Sequence, residues 1–371
     1  MGINKKLALF IFLGLLIRLL LAPLTYHGDS IDYLNWGKNL HEFGLRDFYF
    51  RDTPDAGPPN YPPAFYYLLA ANQNLYELTK GSLWFLNTKI GLFPSNFYLW
   101  FESDQGNIYF NKLPAIFADL AVGYFIFLFA KDLKGKKAVF KALAFYLFAP
   151  PIWYLSSLWG QTESLFALPL LASFYALHKK KYIFAPLLFT LSFLLKPIAV
   201  FVAPLFLFWW LACARIKDFI QGIMLTLFIF YIIHIPFSPV ATLQWIVDLY
   251  RHGIREVLGY LNANAFNLWS FFFGFKPVSD SNLILGIPGN LLGLFLYFGL
   301  VIYILFSLSK RVKTVSYLFA ASLISFSGFL FLTRVHERYL FLALLFLAPL
   351  TFVKKVGKLY WFLSATFMIN L

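Results

Sequence analysis

The feature that most constrains this 371-residue chain is a series of apolar segments, separated by short loops, that are long enough to cross a lipid bilayer. A spanning helix needs about 20 mostly apolar residues. The candidate spans are residues 7–25, 109–130, 138–155, 157–177, 182–195, 198–213, 218–236, 283–308, 314–332 and 338–353, and 61–108 is more ambiguous. Only 13% of the residues are charged, against about 25% in soluble domains. The sequence therefore predicts an all-α, polytopic transmembrane protein with about 10 to 13 membrane helices.

The net charge of +14 taken alone would suggest a polyanionic partner such as DNA, but in an apolar chain it fits the basic cytoplasmic loops of a membrane protein. The basic clusters are Lys5-Lys6, Lys131 to Lys141, Lys179 to Lys181, Arg215 with Lys217, Lys310 to Lys313, and Lys354 to Lys358. Alternating the spans places all six on one face, provided that 61–108 crosses twice or not at all. We expect residues 1–371 to form one domain in the plasma or inner membrane, with an uncleaved first helix.

The polar segments with unusual chemistry all fall on the opposite, outer face in this topology. They are HGDSIDYLNW (27–36), NYPPAFYY (60–67), LWGQTES (158–164), LKP (195–197), HIPFSP (234–239), NANAFNLW (262–269) and RVHERY (334–339). A transporter should instead present polar groups near the midplane, accessible from both sides. This asymmetry favours an active site that faces outward.

The first outer loop, residues 26–60, carries Asp29 and Asp32. Apolar residues between Ser30 and Leu40 predict an amphipathic helix on the membrane surface. Asp29 then has two interpretations: an N-cap for that helix, or a general base. Asp32 either complements the helix dipole in the first turn or helps to hold a metal or the acceptor.

Ionisable groups at membrane depth are further candidates. Lys196 lies at a break before Pro197 and is either a functional group or a lysine that snorkels to the outer boundary. Gln161 and Glu163, in a tight turn, can reach the same cavity. Asp119 is a membrane-embedded carboxylate that needs a partner, and Lys112 lies about two helical turns upstream.

Two outer segments complete the set. RVHERY clusters Arg334, His336 and Arg338 around Glu337, which is either a solvated charged turn or an anion site in which arginine binds phosphate. NYPPAFYY predicts a helix start at its prolines, and its tyrosines, Tyr61 among them, fit an interfacial aromatic belt. No nucleotide-binding or hydrolase motif occurs, and the single cysteine, Cys213, excludes an intrachain disulfide.

Taken in order, these segments resemble the GT-C superfamily of membrane glycosyltransferases. The likeness is to bacterial and archaeal relatives of the GPI second-mannosyltransferase. The matching pieces are HGDSIDYLNW, YPPAFYYLL, KLPAIFADL, WGQTES, LLKP, NANAFNLW and RVHERYLFLALL, which together extend from residue 27 to about 345. Glu163 departs from the pattern, because the family more often has Asp after Gly-Gln. The apolar run 359–371 is too short to cross, so we also expect a truncated last helix.

The resemblance implies inverting transfer of a hexose, commonly mannose, from a polyprenyl-phosphate donor to a lipid, glycan or protein acceptor on the outer face. In that interpretation Asp29 is the catalytic base, and Asp32 assists it or binds a divalent metal such as Mg or Mn. Arg338, Arg334, His336 and Lys196 bind the donor phosphate. Gln161, Glu163, Glu337 and Tyr61 contact the substrate. The alternatives are a multispan transporter or lipid flippase, and an O-antigen-ligase-like transferase that uses a diphosphate-linked glycan.

Overall fold

The computed structural model is an all-α structure, 77% helical, and it describes residues 2–24, 27–136, 138–238, 240, 242–256, 259–308 and 313–371. Lys137, Lys310 and Arg311 of the basic clusters lie outside these residues. The α-helices in the described ranges are α1 (Ile3–Leu21), α2 (Asp29–Phe43), α3 (Pro63–Phe85), α4 (Ser95–Glu102), α5 (Asp104–Lys134), α6 (Val139–Leu147), α7 (Pro150–Trp153), α8 (Glu163–His178), α9 (Phe184–Leu195), α10 (Ala203–Cys213), α11 (Ile216–His234), α12 (Leu243–Glu256), α13 (Leu268–Phe273), α14 (Gly289–Leu308), α15 (Thr314–Phe331), α16 (Phe341–Leu347) and α17 (Lys354–Asn370).

Shorter elements join these helices. There are 3₁₀ turns at Phe48–Phe50, Pro197–Val202, Ile235–Phe237, Glu337–Leu340 and Ala348–Leu350, and π-helical turns at Leu86–Ile90 and Tyr154–Trp159. One antiparallel hairpin of two-residue strands, β1 (Leu283–Ile284) and β2 (Ile287–Pro288), precedes α14. The first residues of the predicted span 283–308 therefore form this hairpin, and its helix begins only at Gly289.

Four helical segments in the described ranges are long and apolar enough to cross a membrane: Asp104–Lys134, Ile216–Phe237, Gly289–Leu308 and Thr314–Phe331. A fifth is counted if α6 and Pro150–Trp159, which meet at 54°, form one broken span. The break occurs before Pro150-Pro151 because a residue that precedes proline disfavours the helical conformation. These helices suggest an integral membrane protein. Within the residues that the structure describes, the helices that meet this test of length and composition are fewer than the 10 to 13 predicted, since apolar runs such as 338–353 fold as several short pieces.

The core of the bundle forms around α5 and α8, which pack against each other, and α16 packs beside α8. Every residue of α16 is buried, as expected for a helix that is apolar on all sides. In contrast, α14 leaves Phe295, Ile302 and Phe306 exposed, although it is equally apolar. A helix surface of this composition is suited to contact with lipid.

Helices α2 and α3 form where the sequence predicts them, but their apolar and aromatic side chains are buried in the protein. The helix predicted over Ser30 to Leu40 is present as α2, but its apolar side chains pack against α3 inside the protein and do not form a membrane-facing surface. The prolines of NYPPAFYY start α3, as predicted. Tyr66 is fully buried in the same cluster, so the aromatic-belt interpretation is wrong for this residue. Leu34 and Trp36 of α2 are also buried.

The buried carboxylate Asp119 pairs with Arg18 of α1, not with Lys112. The Arg18 Nε atom donates to Asp119 Oδ2 at 2.7 Å, and both side chains are inaccessible to solvent. Lys112 instead donates to the carbonyl oxygens of Ala22 and Leu158, at 2.8 and 2.9 Å. Its side chain fills the space where a Cβ atom on Gly160, which has a φ of +82°, would lie. Lys112 therefore supports the chain just before Gln161.

Candidate functional site

The candidate site forms where four distant segments meet at one end of the bundle. Asp29 is the first residue of α2, Glu163 is the first residue of α8, and Lys196 directly follows the last residue of α9. Arg338 lies in the 3₁₀ turn that leads into α16. Gly160 has a left-handed conformation, which turns the chain sharply from the π-helical segment into α8. The side chains of Gln161 and Glu163 therefore point into the protein.

Glu163 is the centre of a buried charge cluster. Its Oε1 atom lies 2.5 Å from Lys196 Nζ and 3.5 Å from Arg338 Nε. Arg338 Nη1 also contacts Glu337 Oε1, at 3.1 Å. Glu163, Lys196 and Glu337 are buried. Burial of ionised groups is costly unless they are paired, so this cluster constrains the relative positions of α8, α9 and the 337–340 turn.

Lys196 is turned into the protein. Its ammonium group lies 5.8 Å from the ring centres of Tyr61 and Tyr339 and 6.0 Å from that of Phe166. Cations at such distances from aromatic faces are attracted by the ring quadrupole. The snorkelling interpretation is therefore wrong, and Lys196 is committed to Glu163 and the three rings instead of facing a ligand.

Asp29 is the accessible carboxylate of the site. Gln161 Nε2 donates a hydrogen bond to its Oδ2 atom, and Arg338 Nη2 lies 3.9 Å from the same oxygen. That distance is too long for a hydrogen bond, so the two charged groups attract each other but are not hydrogen-bonded. The Asp29 side chain is 43% exposed. The N-cap position belongs to Gly28, so the capping interpretation of Asp29 is wrong.

Asp32 holds the first outer loop onto α2. Its Oδ1 atom accepts a hydrogen bond from the backbone N–H of Gly57 at 3.0 Å, and Trp36 Nε1 donates to the Gly57 carbonyl at 2.9 Å. Among the residues that the structure describes, no group of three or more His, Cys, Asp or Glu side chains is placed to hold a metal ion. The Arg338 cation also lies where a metal bound to Asp29 would be repelled, so these residues do not fit the Mg or Mn expectation.

Arg334 does not join the cluster. It points away and makes two contacts with the buried carboxylate of Asp280, from Nε at 2.6 Å and from Nη2 at 3.3 Å. Thr333 also donates to Asp280, at 3.2 Å. The spacing of two and four residues in RVHERY suggested one cationic cluster, but the left-handed backbone at Arg334, with a φ of +61°, separates its side chain from that of Arg338.

His336 lies beside the cluster and carries no charge at neutral pH. Burial, followed by the nearby Arg338 and Lys196 cations, lowers its pKa to about 3, although the Asp29 carboxylate opposes the shift. Its backbone bridges to Ala263 and Asn264 of the NANAFNLW segment, and its ring packs at 5.5 Å from Tyr339. Of the four predicted phosphate ligands, only Arg338 is both cationic and able to face a ligand beside Asp29.

Three aromatic residues at the rim were missed as functional candidates. The His27 ring stacks on Trp159 with 4.6 Å between the ring centres, and the Arg338 guanidinium lies 5.6 Å from the Trp159 ring centre. On the other side, the hydroxyls of Tyr33 and the predicted Tyr61 are 2.8 Å apart. His27, Trp159 and Tyr33 all adjoin the predicted residues in HGDSIDYLNW and LWGQTES, which was the available signal.

Buried polar atoms that lack hydrogen-bond partners concentrate here. Those in residues 157–163 and 337–338 are Ser157 Oγ, Trp159 Nε1, Thr162 Oγ1, Glu163 Oε2, Glu337 Oε2 and Arg338 Nε. Most buried polar groups in folded proteins are paired. A local excess of unpaired donors and acceptors therefore marks this region as suited to a polar ligand.

Neither protein-family models nor curated proteins show a match to this chain. The candidate site consists of an accessible carboxylate, Asp29, and a cation, Arg338, whose side chain is 12% exposed. Aromatic faces flank these two groups, and buried charges support them. This combination is suited to a ligand that has hydroxyl groups and one anionic group.

Proposed function

We propose that this protein is a membrane-embedded, inverting glycosyltransferase. In this proposal it moves a hexose, mannose by the resemblance of its motifs, from a polyprenyl-phosphate donor to an acceptor hydroxyl on the outer face. The observation that carries the proposal is the position of Asp29. It is the exposed carboxylate of an otherwise buried cluster, held by Gln161 and lying 3.9 Å from Arg338.

Asp29 serves as the general base. The acceptor hydroxyl attacks the anomeric carbon of the donor sugar, and its proton passes to the Asp29 carboxylate. The bond between that carbon and the phosphate oxygen breaks, and the bonding electrons leave with polyprenyl phosphate. Because this leaving group is stable as an anion at neutral pH, no general acid is needed. Gln161 orients the carboxylate for proton transfer.

Arg338 stabilises the phosphate as negative charge develops on it. Its Nη2 atom is beyond hydrogen-bonding distance of Asp29 and can bind an incoming oxygen. Glu163 and Glu337 limit the local positive charge, because the cluster of Lys196, Arg338, Asp29, Glu163 and Glu337 has three acids for two bases. We therefore assign one phosphate ligand, Arg338, and assign Lys196 to positioning Glu163.

The sugar is recognised by the remaining groups at the rim. Carboxylate oxygens accept hydrogen bonds from sugar hydroxyls, and the buried Oε2 atom of Glu337 lacks a partner, so a hydroxyl that enters the cluster can donate to it. The faces of Trp159 and Tyr61 offer apolar surfaces against which a hexose ring can pack. Gln161 and Glu163 contribute mainly by holding Asp29 and Arg338 in place.

The test is a reconstituted transfer assay in liposomes with labelled polyprenyl-phosphate sugars and an acceptor. Asp29→Asn should lower the transfer rate about 10²- to 10⁴-fold, the contribution of a general base. Asp32→Asn is the matched control, since it makes the same change one turn later in α2. Its amide oxygen can still accept the Gly57 hydrogen bond, so we expect less than about a threefold change.

A folded Asp29→Asn protein with near-normal turnover would rule out the base assignment. Movement of the lipid-linked sugar across the bilayer without transfer would favour the flippase alternative. Turnover of a diphosphate-linked donor alone would favour the ligase-like alternative.

A further inference from the structure

A cavity lies at the opposite end of α8 from the candidate site. Its volume is about 180 Å³, and its lining includes His178, Lys180, Tyr182, Trp209 and Thr314. Glu163 begins α8 and His178 ends it, so 16 residues of helix, about 24 Å, separate the two places. The cavity is formed by the ends of α8 and α10 and the start of α15.

Lys180 reaches this cavity from a conformation that lysine rarely adopts. The end of α8 has two hydrogen bonds typical of a Schellman motif, from Lys181 N–H to the Ala176 carbonyl at 2.8 Å and from Lys180 N–H to the Leu177 carbonyl at 3.0 Å. The central residue of this motif is left-handed and is usually glycine. Lys180 occupies it with a φ of +58°, so the fold accepts backbone strain where glycine would relieve it.

The charges around the cavity are unbalanced in favour of cations. Two acids lie near this end, and both are already paired: Asp132 is 2.7 Å from Lys179 Nζ and 3.4 Å from His178 Nε2, and Asp218 is 3.1 Å from Arg215 Nε. His178 Nδ1 is in turn within 2.9 Å of the Thr314 hydroxyl. Lys180 forms no ion pair with an acid in the part of the chain that the structure describes. Its ammonium group is therefore available to an anion at the cavity mouth.

The surroundings favour a lipid over a free anion. Leu211, which lies two residues before the lining residue Cys213 at the end of α10, is 59% exposed. Exposed apolar surface suited to an acyl chain therefore lies close along the chain to the cavity lining. Basic pockets between membrane helices, at the level of the headgroups, are typical binding sites for anionic lipids.

We propose that this cavity binds the phosphate headgroup of an anionic phospholipid. Lys180 neutralises the phosphate, and the hydroxyls of Thr314 and Tyr182 are the hydrogen-bond donors beside it. Trp209 and Tyr182 provide the apolar wall for the glycerol portion. The site is separate from the transfer reaction proposed above, and neither proposal depends on the other.

The test measures the unfolding temperature of the full chain in phosphatidylcholine vesicles with and without phosphatidylglycerol. Lys180→Gly and Lys180→Asn, whose new residues tolerate the left-handed conformation, should unfold at a higher temperature than the parent in phosphatidylcholine alone. The parent should gain stability from phosphatidylglycerol, and both variants should lose most of that gain. A loss of one lysine contact corresponds to about fivefold weaker lipid binding.

Lys181→Gln is the matched control, because it removes the adjacent charge from a residue that does not line the cavity. It should keep most of the gain from phosphatidylglycerol. The proposal is overturned if the Lys180 variants keep the full gain, or if Lys181→Gln loses as much as they do. Inorganic phosphate added to phosphatidylcholine vesicles should have no effect; the same gain from phosphate alone would show a free anion as the ligand and overturn the lipid assignment.

Discussion

Two buried carboxylates of this protein, Asp119 and Glu163, both pair with cations but differ in how many of their oxygens have a partner. Asp119 accepts hydrogen bonds from Arg18 Nε at 2.7 Å, Tyr146 at 2.6 Å and Ser156 at 2.9 Å, so both of its oxygens are paired, and only Arg18 Nη2 of this pair lacks a partner. Glu163 receives Lys196 and Arg338 on one oxygen and leaves the other unpaired. The Arg18–Asp119 pair is fully enclosed, whereas the Glu163 cluster extends to the exposed Asp29.

This difference separates a structural pair from a candidate site. A carboxylate that is inaccessible to solvent and paired on both oxygens is closed to a ligand, and it contributes by fixing the packing of α1, α5 and the π-helical turn at Tyr154–Trp159. A cluster with unpaired atoms and an accessible edge retains that capacity. Matched substitutions in the two places can therefore show whether the distinction is functional.

The largest expected effect on stability is that of Arg18→Met. The change removes the cation from Asp119 while keeping a long apolar side chain, and it leaves a buried carboxylate with only hydroxyl partners. Breaking one partner of a buried pair typically costs about 3–5 kcal/mol in the free energy of unfolding. Denaturant unfolding of the purified protein measures the cost. A double variant, Arg18→Met with Asp119→Leu, should recover most of it, and failure to recover would argue against a pairwise role.

Lys196→Met should have a smaller effect on stability, about 1–3 kcal/mol. Arg338, which lies 3.5 Å from Glu163, remains as a partner in this variant. The methionine side chain can fill the space between the three aromatic rings that surround Lys196. The same unfolding measurement compares the two Met substitutions directly. If Lys196→Met costs as much as Arg18→Met, then Arg338 does not compensate for the lost charge beside Glu163. The contrast between the two pairs would then be wrong.

Arginine substitutions test which cation meets the donor. Arg338→Lys replaces a planar, bidentate donor with a point charge and should raise the donor KM about tenfold or more. Arg334→Lys should leave the donor KM within about threefold, because Arg334 pairs with Asp280. Donor titrations of both variants in the transfer assay decide between them. An unchanged KM for Arg338→Lys, with an increase for Arg334→Lys, would reverse the assignment.

The smallest effect concerns pH. Because the pKa of His336 falls from 6.5 to about 3 on folding, the unfolded chain binds a proton between these values that the folded protein does not. The stability contributed by neutral His336 is therefore complete above pH 6.5 and decreases as the pH falls toward 3. The side chain is 37% exposed, so solvent screening reduces the size of this effect.

Unfolding temperatures of the parent and of His336→Gln between pH 7 and 4 measure the contribution as a difference. The difference should decrease with falling pH, since other titrating groups cancel. A difference that grows as the pH falls would mean that His336 is protonated in the fold.

The sequence predicted the membrane class and the participation of particular residues better than it predicted their partners. Asp29, Gln161, Glu163, Lys196, Glu337 and Arg338 were selected from separate motifs, and the structure brings them together. Arg334 and Asp32 were selected by the same reasoning and lie elsewhere. Their contacts with Asp280 and Gly57 depend on loop conformations that spacing along the chain does not encode.

The length of an apolar segment depends on local composition, so the sequence alone determined that this chain forms apolar helices long enough to cross a membrane. Which charges pair was decided only by tertiary structure. Arg18 reaches Asp119 across 101 residues of chain, and Lys196 turns inward because Glu163 and three aromatic rings lie there. A buried charge takes the partner that the packed helices bring near it, and that choice is made by the whole fold.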